Sequence, residues 1–137
     1  MDNFINYFWF SDRYFYFSDK YNFNYSIYLI GKDLLKRKNR DAVRSWSNAG
    51  HEIGNHSWSH FVNLGSMNYN TIYSEISKSH TIIRKTIGKD PKGFISPAWN
   101  TSGNVLKALI ELGYTYDTSV FPSWLMIPAR NSHSCSL

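Results

Sequence analysis

Gly50-His51-Glu52-Ile53-Gly54-Asn55-His56-Ser57-Trp58-Ser59-His60 is the stretch on which the fold turns. Gly50 is a natural stop for a helix running from Asp41 to Ala49, which is expected to carry Ala42, Val43, Trp46 and Ala49 inward. His51 to Asn55 then reads as a short strand that delivers His56 at its C-terminal end. His56 and His60 are four positions apart, so one turn of helix, or a tight helical loop, puts both imidazoles on one side. Two converging neutral imidazoles are half of a zinc-type site. Ser57, not Glu, follows the first histidine, so the metalloprotease pattern with its built-in base is absent. Further ligands and any base must come from elsewhere in the chain.

Working outward, elements alternate on both sides. Residues 4–22 read as a helix with an aromatic face of Phe8, Tyr14/Phe15 and Tyr21. Tyr25 to Ile30 is a short apolar, β-branched run stopped by Gly31, read as a buried strand. Asn68 or Asn70 can cap a helix striped by Ile72, Ile76, His80, Ile83 and Ile87 and closed by Gly88. Phe94-Ile95-Ser96 is a strand broken by Pro97. Thr101 or Ser102 caps a last helix with Val105, Leu106, Leu109, Ile110 and Leu112, ended by Gly113, and Tyr114-Thr115-Tyr116 begins a fourth strand. Helix and strand in turn, with glycine stops and short loops, is the layout of a parallel α/β sheet or barrel. Such folds place active groups on loops at the C-terminal ends of strands, where His56, His60 and Pro97-Ala98-Trp99 fall.

Composition narrows the class. At 137 residues the chain is one domain or part of one, large enough to bury a core unaided. Aromatics make up 18% of it, which suits a dense core or a groove for flat ligands such as sugar rings. The net charge of +5 serves solubility: beyond Lys36-Arg37-Lys38 and Arg40 there is no dense basic run, so nucleic acid ranks last among partners. The single Cys135 allows no internal disulfide. The aromatic start lacks a basic leader and a cleavage site and is broken by Asn6, Ser11, Asp12 and Arg13, so it reads as neither signal peptide nor membrane span.

These residues resemble the polysaccharide deacetylase family, the carbohydrate esterases that share the NodB-type domain. Lys20-Tyr21-Asn22 with Tyr25 to Lys32 is similar to the family's strand after its first helix. Gly50 to His60 resembles its metal-binding His-Ser/Thr-x-x-His motif. Gly93-Phe94-Ile95-Ser96-Pro97-Ala98-Trp99 resembles its Phe-Arg-x-Pro motif, and Gly113 to Pro122 the strand and turn that follow. Without its surroundings the His56/His60 pair reads as surface or hydrogen-bonded histidines; with them it reads as a ligand pair.

The resemblance implies a distorted parallel β/α barrel, here incomplete, with residues 1–128 a partial domain and 129–137 an unpatterned tail. It implies hydrolysis of N- or O-acetyl groups on a chitin-, peptidoglycan- or xylan-like polymer by a divalent metal, zinc first, with cobalt or nickel possible. Position by position, His56 and His60 are the histidine ligands and Asp2 is the candidate third. Trp99 becomes the candidate for the substrate and oxyanion end, with a backbone N–H near it as the oxyanion donor. Departures point to impairment. Met1 stands where the base is expected, Ile95 replaces the motif's Arg, and the late acid histidine has no counterpart, since His133 lies in the tail. No catalytic residue is therefore assigned. The alternative is a non-catalytic carbohydrate- or metal-binding remnant. The family is often secreted or in the cell envelope, and the chain's own compartment is left open. His51 and His80 read as packing residues.

Overall fold

The computed structural model describes residues 14–120. Expectations falling on Asp2, the first turns of the 4–22 helix, His133, Cys135 and the tail lie outside them. In chain order come helical residues 14–21 (α1), β1 (Ser26–Leu29), α2 (Arg37–Asn48), β2 (Glu52–Asn55), α3 (Tyr69–Ile87), β3 (Gly93–Phe94), α4 (Gly103–Glu111) and β4 (Tyr116–Asp117). Short 3-10 turns at Gly31–Leu35, Leu64–Ser66 and Pro97–Trp99 join them. The strands form one parallel sheet in the order β1-β2-β3-β4. Four parallel strands in sequence order with helices between them are the layout of part of a β/α barrel, as expected from the sequence. Among the described residues no helix is long and apolar enough to cross a membrane.

Register decides which side chains meet the helices. Ile27 pairs with Ile53 and Leu29 with Asn55, while Ser26 pairs with Glu52 and Tyr28 with Gly54. Side chains alternate along a strand, so these two sets lie on opposite faces. Ile53 packs with Leu34, Val43 and Ile83, and Ile27, Leu29, Trp46 and Ile87 lean on that cluster. Phe94 anchors a second cluster with Leu64, Ile72, Ile76, Val105, Ala108 and Leu109. The other face carries Ser26, Tyr28, Glu52 and Tyr116. Tyr116 donates to Glu52 Oε1 at 2.6 Å, Ser26 to Glu52 Oε2 at 2.8 Å, and Tyr28 to Tyr116 at 3.3 Å. Burial, then the bond to Glu52, pushes the Tyr116 phenol well up. The Tyr28 ring lies directly over Gly54, where a Cβ would come within 2.5 Å of it.

Several boundaries differ from expectation. α2 begins at Arg37 rather than Asp41, because its first turn is pinned to the preceding 3-10 turn. Buried Asn39 donates to Asp33 O at 2.7 Å, and Arg40 donates to Leu34 O and Leu35 O. Ala49 caps that helix and is exposed instead of inward. Asn68, not Asn70, caps α3, accepting from Thr71 N at 3.0 Å. In α4 the buried residues are Val105, Ala108 and Leu109, while Leu106 and Ile110 face outward. β3 and β4 are each two residues long and shifted from the expected runs, and Tyr114, expected to open β4, precedes it with its hydroxyl on Asn55 and His80. Within the described part of α1, Phe15 stacks on His51 at 4.6 Å, while Tyr14, edge-on to Tyr25, and Tyr21, stacked with Phe17, keep much of their surface exposed.

Candidate metal site at the ends of β2 and β3

β2 ends at Asn55 and the chain enters the motif loop while still paired to the end of β1. His56 N donates to Leu29 O, Gly31 N to Ser57 O and Lys32 N to Trp58 O, at 2.8 to 3.0 Å. The loop is not helical. Ser57 and His60 both have left-handed backbones, with φ of 66° and 60°. The His60 amide donates to Ser57 Oγ at 3.1 Å, closing the turn. Ala98 and Trp99, in the loop after β3, are left-handed too, with φ of 51° and 53°. L-residues held in that region cost about 1–3 kcal/mol each, and such strain collects at functional loops.

The turn brings His56 and His60 together, with ring centroids 4.9 Å apart and planes at 60°. His56 Nδ1 lies 2.7 Å from Ile95 O. A carbonyl only accepts, so Nδ1 carries the proton and the lone pair sits on Nε2. That is the arrangement of a metal-ligating histidine whose second nitrogen is fixed by a backbone carbonyl. Burial lowers the His56 pKa. The Ile95 carbonyl works in the opposite sense, and His60 adds to the lowering. His56 and His60 could therefore hold a divalent ion as two of its ligands. Among the described residues no third His, Cys, Asp or Glu joins them. The position of Asp2, the expected third ligand, is outside the described residues.

Ile95, in the place of the motif's Arg, contributes its backbone: its carbonyl fixes His56 and its amide donates to Asn55 O at 3.1 Å. Trp99 is 42% exposed beside this loop. Its own amide donates to Ser96 O at 2.9 Å. His51 is buried, accepting from Tyr25 N and stacking on Phe15, a packing role. Trp58 leaves the site and lines a groove of about 340 Å³ with Ser77, Lys78, Thr81, Ile82 and Lys85.

Sequence reasoning missed the residues that hold the loop. Glu75 of α3 is buried and accepts from both the amide and the hydroxyl of Ser59 at 2.9 Å. Asn55 is fully buried and accepts from Ser57 N at 2.9 Å. The available signal for Glu75 was a carboxylate beside Ile72 and Ile76 on the buried side of an amphipathic helix, where charge is rare unless partnered.

Known proteins resemble this chain in sequence and fold. The Helicobacter pylori peptidoglycan deacetylase is 35% identical over 72 residues, covering 53% of this chain and 24% of that protein. A family 4 acetyl xylan esterase from Clostridium thermocellum, solved with a cobalt ion, superposes with a TM-score of 0.61 at 32% identity. That match covers 66% of this chain and 43% of the esterase. A family 4 carbohydrate esterase pseudoenzyme from Bacillus anthracis gives a TM-score of 0.65 over 73% of this chain and 34% of its own. At 19% identity it bears on the fold alone. The chain thus spans about a quarter of its curated H. pylori relative. The family model for polysaccharide deacetylases matches residues 9–116, taking in β1 to β3, the first residue of β4 and both loops that meet at His56, and the chain belongs to that family.

Proposed function

We propose that this chain carries the metal-binding part of a hydrolase that removes acetyl groups from a chitin-, peptidoglycan- or xylan-like polysaccharide. The observation that carries the reading is the His56–Ile95 hydrogen bond, which leaves Nε2 bare beside His60. His56 and His60 serve as ligands and Asp2 as the third, with zinc the preferred ion and cobalt or nickel able to replace it. Bound there, such an ion supplies a water nucleophilic near neutral pH and polarises an acyl oxygen. The chain's own groups orient: Ile95 O fixes the His56 tautomer, Glu75 and Asn55 hold the loop, and exposed Trp99 offers a face for a sugar ring. Residues 1–128 are read as the partial deacetylase domain and 129–137 as a tail outside it.

With Ile95 where the family motif carries the Arg that orients the base, turnover is expected to be slow, since a general base contributes about 10²- to 10⁴-fold. Ile95 in place of the motif's Arg favours a second reading, a remnant that binds metal or saccharide without hydrolysis. One experiment separates the two. Acetate release from acetylated chitooligosaccharide and peptidoglycan is followed with and without zinc or cobalt, alongside calorimetric titration of each metal. Metal binding with slow, metal-dependent release supports the hydrolase, and binding with no release supports the remnant. Failure to bind either metal overturns both as metal sites.

A further inference from the structure

The motif loop is tied to the far side of the helix layer by an unbroken line of hydrogen bonds. His60 N donates to Ser57 Oγ at 3.1 Å, and Ser57 N donates to Asn55 Oδ1 at 2.9 Å. Asn55 Nδ2 donates to Ile76 O at 3.0 Å and to the Tyr114 hydroxyl at 2.6 Å. Tyr114 Oη lies 3.2 Å from His80 Nδ1, and His80 Nε2 lies 3.1 Å from Asp90 Oδ1. Arg84 Nε reaches the same oxygen at 3.4 Å.

The neighbours restrict how each group on this line is oriented. Ile76 O can only accept and Ser57 N can only donate, so the Asn55 amide has one allowed orientation. At the other end the Asp90 carboxylate accepts, so His80 carries a proton on Nε2, and with that tautomer Nδ1 accepts from the Tyr114 hydroxyl. A polar line of this kind is worth building only if it holds something in place, because each buried member left unpaired would be costly. Asn55 is fully buried, and the His80 side chain is only 12% exposed.

We infer that Tyr114 and His80 are positioning residues for the His56–His60 turn, acting through Asn55 and Ser57 to hold the left-handed conformation that brings the two imidazoles together. They touch neither metal nor substrate. The inference extends to metal affinity only on the reading proposed above.

The test is amide hydrogen exchange by NMR on the metal-free 137-residue chain, comparing wild type with Tyr114→Phe, His80→Ala and the control Tyr69→Phe. Tyr69 donates its hydroxyl to Glu111 and has no part in the line. The Ser57 and His60 amides are expected to exchange about tenfold or more faster in the first two variants and unchanged in the third, with the core amides of Ile76 and Ile83 moving less than about twofold. Unchanged Ser57 and His60 exchange in both variants overturns the inference. So does equal acceleration of all amides, which would mark a general loss of stability. In a second arm, calorimetric cobalt affinity should fall about tenfold in Tyr114→Phe and His80→Ala, as for lost outer partners of a metal site. Faster loop exchange with unaltered cobalt affinity overturns the link to the metal. A wild-type chain that binds no cobalt overturns the metal reading and leaves the loop result standing.

Discussion

His56 serves two requirements at once: it must be held, and it must stay neutral. The Ile95 carbonyl holds it, and burial keeps it neutral by disfavouring the imidazolium more than the carbonyl favours it. In the metal-free chain His56 is therefore expected to titrate below 6.5, its ordinary value. The sign for stability follows from which state takes the proton first. As pH falls through about 6.5 the unfolded chain protonates this histidine before the folded one does. Stability attributable to His56 is full above that pH, declines until the depressed folded pKa is passed, and is level below it. An NMR titration of the His56 ring proton with a midpoint at or above 6.5 would refute this. The histidine spacing was legible in the sequence because motif and lead-in lie in one contiguous run. Glu75, Asn55 and Tyr114 were not, because Glu75 meets Ser59 across 16 residues and Asn55 meets Ile76 and Tyr114 across 21 and 59, pairings that exist only once the sheet has formed.

Elements here are defined by their ends. Two asparagines were equally good caps for α3 on sequence grounds, and only geometry separates them: Asn68 accepts from the Thr71 amide and hydroxyl, while Asn70 lies exposed in the first turn. Asn68→Ala should cost about 1 kcal/mol in urea denaturation, and Asn70→Ala less than about 0.5 kcal/mol. Equal losses would show that the cap had been misassigned. The strand β2 makes a different demand. A methyl at Gly54 would run into the Tyr28 ring, and Gly93 O is also close. Gly54→Ala should destabilise the chain by about 1–3 kcal/mol through overpacking, as read by the denaturation midpoint. A midpoint matching wild type would mean that the Tyr28–Tyr116–Glu52 line yields freely. Periodicity located each of these elements but not its bounds, since a two-residue strand such as β3 is too short to show a period.

At the scale of the whole molecule, alternation of helix and strand was enough to name a parallel α/β fold, because each strand must be followed by a helix that covers it before the next can pair. What alternation does not carry is how two loops from different strands converge, and the site depends on that convergence. His56 comes from the end of β2 and its fixing carbonyl from the loop after β3. An ion clasped there ties the motif loop to the sheet in the folded state only, so binding must appear as stability. At a free zinc or cobalt concentration of one hundred times Kd, the gain is about 2.7 kcal/mol, enough to raise Tm by several degrees. His56→Ala should abolish that shift whatever it does to the metal-free Tm, and Tyr69→Phe should preserve it. The measurement is calorimetric Tm against metal concentration for the three proteins. A wild-type Tm that stays flat to millimolar metal, or a His56→Ala chain that responds as wild type does, would show that the paired imidazoles do not hold an ion.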